Sequence, residues 1–165
     1  MTTRDEVLSL TASEAERTLV AGEVLFGQGI GDRRSIAVLV DGRLRVELDG
    51  SLLSEITVPG AFVGEISALL GTERTATVVA ESPCTVRMIG DPDAFFETNP
   101  RLALELARQL AARLQRLLVY LSDVRSQYAD DDGQRSIVDS VLGTLASRPP
   151  VDIDPGSDRA ADYDG

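Results

Sequence analysis

The chain has no histidine, no lysine and no tryptophan, and one cysteine, Cys84, in 165 residues. With no His and one Cys, Cys/His zinc sites, His-ligated haem, Ser-His-Asp catalysis and a disulfide framework all fail on ligand count. Aromatic residues make up 4% of the chain, too few rings for a surface that stacks successive bases of single-stranded nucleic acid. No apolar run approaches the roughly 18 residues of a membrane span, and the first residues lack the basic-then-apolar texture of a secretory leader. The expectation is a soluble, cytoplasmic protein with no membrane partner. All sixteen basic residues are arginine, against 27 Asp and Glu, for a net charge of −11. A field of that sign repels a phosphate backbone, so DNA is not an expected partner.

What is present falls into four stretches. Residues 1–20 carry apolar residues at helical intervals and predict an N-terminal helical segment, with Thr11 or Ser13 placed to cap a turn before Glu14 and Glu16. Residues 21–90 change texture: glycines at 22, 27, 29, 31, 42, 50, 60, 64 and 71 separate β-branched runs such as "SIAVLV", "RLRVEL", "LLSEITV", "TATVVA" and "TVRMI". Short strands between turn signals predict a β-sandwich, roll or barrel. Within "VDGRLRVELDGSLL" the two Asp-Gly pairs, at 41–42 and 49–50, are the strongest hairpin signals.

Residues 91–128 switch to a helical period. A short helix is predicted around 92–97, then a long one opened by Asn99 and Pro100, where proline's missing N–H costs nothing. Along the long helix Ala103, Ala107, Leu110, Leu114, Leu117, Leu121, Val124 and Tyr128 alternate by four and three, a seam of about three and a half heptads. Leu104, Leu106, Leu118 and Val119 add a second apolar face, so the helix can pack on its own domain, form a homodimer through the 103–128 seam, or do both. Residues 129–165 offer one short amphipathic helix through Ile137, Val138, Val141, Leu142 and Leu145, then a Pro/Gly/Asp-rich acidic tail expected to be disordered.

The chemistry concentrates in "GEISALLGTERTA", residues 64–76. Gly64 permits a backbone conformation closed to other residues. Glu65 opens a segment long enough for about one and a half helical turns, whose first N–H groups lack intrahelical partners and favour an anion. Arg74, nine positions on, can return a guanidinium to the same anion as a charge-assisted fork. Glu65 is then suited to accept from a sugar hydroxyl. The bland alternative is a salt bridge between these two groups that ties a loop to a strand. Cys84 reads as a small buried residue, and "DDD" at 130–132 lacks the Gly and Glu positions of a calcium loop. No metal ligand is assigned.

"GEISALLGTERTATVVA" resembles the phosphate-binding cassette of cyclic nucleotide-binding domains, and "AGEVLFGQGIGDRRSIAVLVDGRLRVEL" is similar to that family's glycine-rich opening strands. The resemblance spans residues 20–88. One departure is that Phe62 stands a position ahead of the family's usual aromatic, with Val63 between it and the Gly-Glu pair. The resemblance implies an α+β fold, a double-stranded β-helix (a jelly-roll-like β-roll) flanked by short N-terminal helices and a long C-terminal helix. It also implies a ligand, cAMP or cGMP, with no prosthetic group. Glu65 would hold the ribose hydroxyl and Arg74 the cyclic phosphate, with Gly64, Ile66, Ser67, Thr75 and Ala76 completing the shell. The long helix would act as a lid over the base, with Arg113 and Arg116 as its polar candidates. With 37 acidic-rich residues after Tyr128, no DNA-reading module is expected. A regulator that signals to an effector protein is the reading, and a nucleotide-free dimeric scaffold its alternative. No nucleophile-base pair is visible, so no catalytic residue is assigned and an enzyme is not expected.

Overall fold

A computed structural model describes residues 3–127 and 132–146. The chain divides into two compact units, Met1–Leu110 and Ala111–Gly165. The first contains α1 (Thr3–Leu10), β1 (Ala15–Leu19), β2 (Val24–Phe26), β3 (Ile36–Asp41), β4 (Leu44–Leu48), β5 (Ser51–Ile56), β6 (Phe62–Val63), α2 (Glu65–Leu70), β7 (Thr77–Ala80), β8 (Cys84–Ile89) and α3 (Pro92–Thr98). The long helix α4 (Pro100–Gln127) begins in this unit, and its later turns with α5 (Asp132–Ala146) make the second.

Eight strands form two antiparallel four-stranded sheets, ordered β1-β8-β3-β6 and β2-β7-β4-β5. This is the β-roll with flanking helices that the sequence implies. The period-2 rule explains how β3 serves two cores at once. Its Ala37 and Leu39 join Leu19, Phe26, Leu44, Val78 and Val86 between the sheets. Its Ile36 and Val38 point the other way and join Val7, Phe62, Ile89, Leu102 and Leu106 beneath the helices. Truncating a side chain this enclosed, such as Leu39, typically costs about 2–5 kcal/mol. Phe62 and Val63 divide the same way, Phe62 to the helical core and Val63 to the roll. The two residues ahead of the cassette are therefore anchored on both faces.

The two Asp-Gly pairs have different fates. Asp49 and Gly50, with φ of 51° and 78°, join β4 to β5, the pair of positive φ values that a tight hairpin turn requires. Asp41-Gly42 is not a hairpin, because β3 and β4 lie in different sheets. Gly42 is needed there for close approach, since a Cβ would lie 2.4 Å from both Cys84 Cβ and the Pro83 carbonyl oxygen.

Residues 15–19 correct the helical expectation for the N-terminal segment. They are strand β1, paired with β8 from Ala15↔Met88 to Leu19↔Cys84. Pairing with a neighbouring strand overrides the weak helical preference of so short a stretch. Thr11 does not open a second helix. It closes α1, its hydroxyl donating to the Val7 carbonyl at 2.8 Å.

In α3, Asp91 caps the first turn by accepting from the Ala94 amide at 3.2 Å. Asn99 turns back, its side-chain nitrogen donating to the Phe95 carbonyl at 2.9 Å. It therefore finishes α3 instead of capping α4 with its side chain. The early turns of α4 bury Leu102 and Leu106, while the seam residue Ala103 is half-buried and Ala107 exposed. Gln109 reaches the outer edge of the β1-β8-β3-β6 sheet. Its carbonyl accepts from the Phe62 amide at 3.3 Å and its nitrogen donates to Gly60 O at 3.2 Å.

In the second unit Leu114 and Leu117 are each 44% exposed, and Arg125 pairs with Asp139 of α5 at 2.8 Å. Tyr128 and the tail 147–165 lie outside the described residues. Among the described residues no helix is long and apolar enough to cross a membrane, and no group of three or more His, Cys, Asp or Glu is placed to hold a metal.

Candidate nucleotide-phosphate site

The cassette is built as a strand, a sharp turn and a short helix. β6 pairs with β3 through Ala37↔Val63 and Val38↔Phe62. The chain then turns at Gly64 into α2, which Gly71 ends. Both glycines are left-handed, at φ 81° and 66°, a region that costs an L side chain about 1–2 kcal/mol. At Gly64 there is also no room, because a Cβ would stand 2.6 Å from Arg74 Nη1 and 2.7 Å from the Phe26 ring.

Two opposite charges are buried here. Glu65 is 3% exposed, Arg74 4% and Ser67 2%. Arg74 sits in the loop between α2 and β7, not on a strand as its β-branched surroundings suggest. Its guanidinium makes five hydrogen bonds, one from Nε and two from each terminal nitrogen. Nε donates to Asp32 O at 2.6 Å. Nη1 donates to Gly64 O at 2.8 Å and Ser67 Oγ at 2.9 Å. Nη2 donates to Ser35 O at 2.8 Å and Ser35 Oγ at 3.3 Å. One face of the fork lies 3.9 Å from the centre of the Phe26 ring, a cation–π contact. All five of these acceptors are neutral oxygens. Burial lowers the pKa of Arg74, while the charges of Asp32 and Glu65 hold it up.

Asp32 organises the other wall. Its carboxylate bonds the Ser35 hydroxyl and accepts the Arg34 and Ser35 amides at 2.8 and 3.1 Å. Those bonds keep its pKa below the ordinary carboxylate value, against a smaller opposing effect of burial. The Asp32–Ser35 loop therefore presents two carbonyls and a hydroxyl to the cation from a fixed turn.

The remaining expected site residues are less enclosed. Ile66 is 42% exposed, Thr75 is exposed, and Gly64 and Ala76 are half-buried. Arg113 and Arg116 belong to the second unit, where both are exposed. Sequence reasoning missed Phe26, Asp32 and Ser35. The signal for two of them was the "GDRRS" pattern, an Asp followed three residues on by Ser after a glycine, which is an Asx-turn signature.

Comparison with known proteins bears on the fold. The family model described as "Cyclic nucleotide-binding domain" matches residues 16–97. The chain is 33% identical over 109 residues to the Acetyltransferase Pat of Mycolicibacterium smegmatis; the match covers 64% of this chain and 32% of that protein. It thus spans about a third of that relative's length. Among solved structures it is similar to the Thermus thermophilus Catabolite Activator Protein, at 25% identity and a TM-score of 0.60, over 74% of this chain and 60% of that one. It is also similar to the N-terminal domain of a transcriptional regulator from Streptomyces coelicolor A3(2), at 29% identity and a TM-score of 0.51, over 70% and 87%. With the roll and the match over 16–97 in agreement, those residues of the chain belong to the cyclic nucleotide-binding domain family.

Proposed function

We propose that this protein is a regulatory receptor for cAMP or cGMP that signals through its C-terminal helix to a protein partner, without catalysing a reaction. The observation that carries the reading is the buried guanidinium of Arg74, held in a cassette with the buried carboxylate of Glu65. Glu65 takes a ribose hydroxyl and Arg74 the cyclic phosphate. The amides of Ile66, Ser67, Thr75 and Ala76 complete the shell, and Arg113 or Arg116 covers the base. A ligand biases only states that it binds differently. A micromolar ligand supplies about 8 kcal/mol in all, and only the difference between states moves α4. The exposed Leu114 and Leu117 of the α4 seam make a homodimer the reading for assembly, and the cytoplasm is the compartment it suits.

Titration calorimetry with cAMP and cGMP tests this. Arg74→Ala removes a charge-assisted fork whose bonds are worth about 1.5–3 kcal/mol each, so affinity falls by about 100-fold or more. Glu65→Ala falls similarly while the fold survives. Wild-type affinity in Arg74→Ala would end the assignment.

A second reading has one observation in its favour. The five bonds of Arg74 within the chain would let a ligand-free scaffold stand by itself. Thermal melts separate the two readings. A receptor at ligand 100 times its Kd gains about 2.7 kcal/mol by mass action, and a scaffold gains nothing.

A further inference from the structure

We propose that the hydroxyls of Ser35 and Ser67 compete with the ligand's phosphodiester for the two terminal nitrogens of Arg74, and give them up when it binds. The inference rests on the reading of the site as a cyclic-phosphate cradle and adds which groups the phosphate displaces there.

The five acceptors around Arg74 are of two kinds. Three are backbone carbonyls, those of Asp32, Gly64 and Ser35, at 2.6–2.8 Å. Their positions are set by the chain: Gly64 O also accepts from the Ala68 amide in the first turn of α2, and the Asp32–Ser35 turn is tied by the Asp32 carboxylate. The other two are serine hydroxyls on longer bonds, Ser67 Oγ at 2.9 Å and Ser35 Oγ at 3.3 Å. The Ser35 hydroxyl is also bonded to the Asp32 carboxylate and Ser67 Oγ donates to Gly64 O at 3.3 Å; each turns about a single torsion, so each can leave Arg74 without moving the backbone. They are distributed one to each terminal nitrogen, Ser67 on Nη1 and Ser35 on Nη2. A bidentate phosphate can take one N–H from each of those nitrogens.

The magnitudes decide the direction of exchange. A bond from guanidinium to a neutral hydroxyl is the weaker kind, and one to an anionic oxygen is about twice as strong. The phosphate therefore displaces the hydroxyls and not the reverse. The three carbonyls stay and keep the fork aimed, so little ordering is left for the ligand to bring about. Without the serine hydroxyls, two N–H groups of a guanidinium only 4% exposed would lose their acceptors, a penalty of the unsatisfied kind. The hydroxyls satisfy the guanidinium and compete with the ligand.

A group that competes has an opposite mutational signature to one that grips. Ser35→Ala and Ser67→Ala keep the backbone amides and carbonyls and remove only the hydroxyl. In the full chain, each is expected to lower the melting temperature of the ligand-free protein and to lower the Kd for cAMP or cGMP by about two- to ten-fold. The double variant should go further in both. If wild-type protein binds with full dependence on Arg74, but the serine variants bind equally or more weakly, the proposal falls and the site reading stands. If wild-type protein binds neither nucleotide, or Arg74→Ala binds as well as wild type, both fall. A crystal of unaltered protein with cAMP gives a second measurement, independent of whether the variants fold. Ser35 Oγ and Ser67 Oγ are expected beyond about 3.5 Å from the guanidinium nitrogens. Finding both still within bonding distance overturns the proposal.

Discussion

Replacing Gly64 by alanine tests the site's steric logic, with Gly71 as a matched reference. Both glycines bound α2 and both are left-handed, at φ 81° and 66°. They differ in what a methyl group meets. At Gly71 nothing lies within 4 Å, whereas at Gly64 the new Cβ stands 2.6 Å from Arg74 Nη1 and 2.7 and 3.1 Å from two Phe26 ring carbons. Backbone strain costs each variant about 1–2 kcal/mol. Only Gly64→Ala adds overpacking, about 1–3 kcal/mol, for a total of about 2–5 kcal/mol. In a domain of about a hundred residues that is a fall in melting temperature of about 10 °C or more. Because the clash falls on Nη1, which holds two of the guanidinium's five bonds, the fork must move. Nucleotide affinity then drops about ten-fold or more in Gly64→Ala and stays within about three-fold in Gly71→Ala. Urea denaturation and titration calorimetry on the two variants read both quantities. Equal stability losses, or unchanged affinity in Gly64→Ala, would refute the claim that Gly64 is glycine to let the guanidinium and the ring close over it.

Asp32 has a lowered pKa, so its contribution is present at neutral pH and is lost as pH falls through the carboxylate range; Asp32 is exposed and the effect is under about 1 kcal/mol. Urea midpoints of wild type and Asp32→Asn should therefore differ near neutrality and converge on acidification, whereas a constant gap would contradict the assignment. Gln109→Leu removes the partners of the Phe62 amide and the Gly60 carbonyl and should cost about 1–3 kcal/mol in equilibrium denaturation. For the proposed dimer, Leu114→Asp with Leu117→Asp places charges in the exposed seam, and sedimentation should report monomer for this variant and dimer for wild type.

Much of the roll was legible because its glycines and β-branched runs act locally. The Asp49-Gly50 hairpin and strands β3, β4, β5, β7 and β8 follow from turn chemistry and alternation. Local signals misled where a partner strand decided the outcome. Ala15–Leu19 became a strand only by pairing with β8, whose Cys84 stands opposite Leu19. Asp41-Gly42 carries a hairpin's residues but serves a crossover between sheets. The same division holds at the site. Glu65 and Arg74 stand in one short motif, whereas the groups that orient Arg74 come from 42 and 39 residues away, at Asp32 and Ser35. Periodicity does not extend over such separations, and only the folded roll brings them together.

The two-residue strand β6 has a free side that a sheet would ordinarily offer to another strand, and the amide and carbonyl of Gln109 stand in for one. A side chain on α4 thus acts as a surrogate strand for the segment that leads into the cassette. A shift of α4 that withdraws Gln109 strips the Phe62 amide and the Gly60 carbonyl of that surrogate together. If α4 carries the signal proposed above, this one side chain couples its movement to the segment that leads into the cassette.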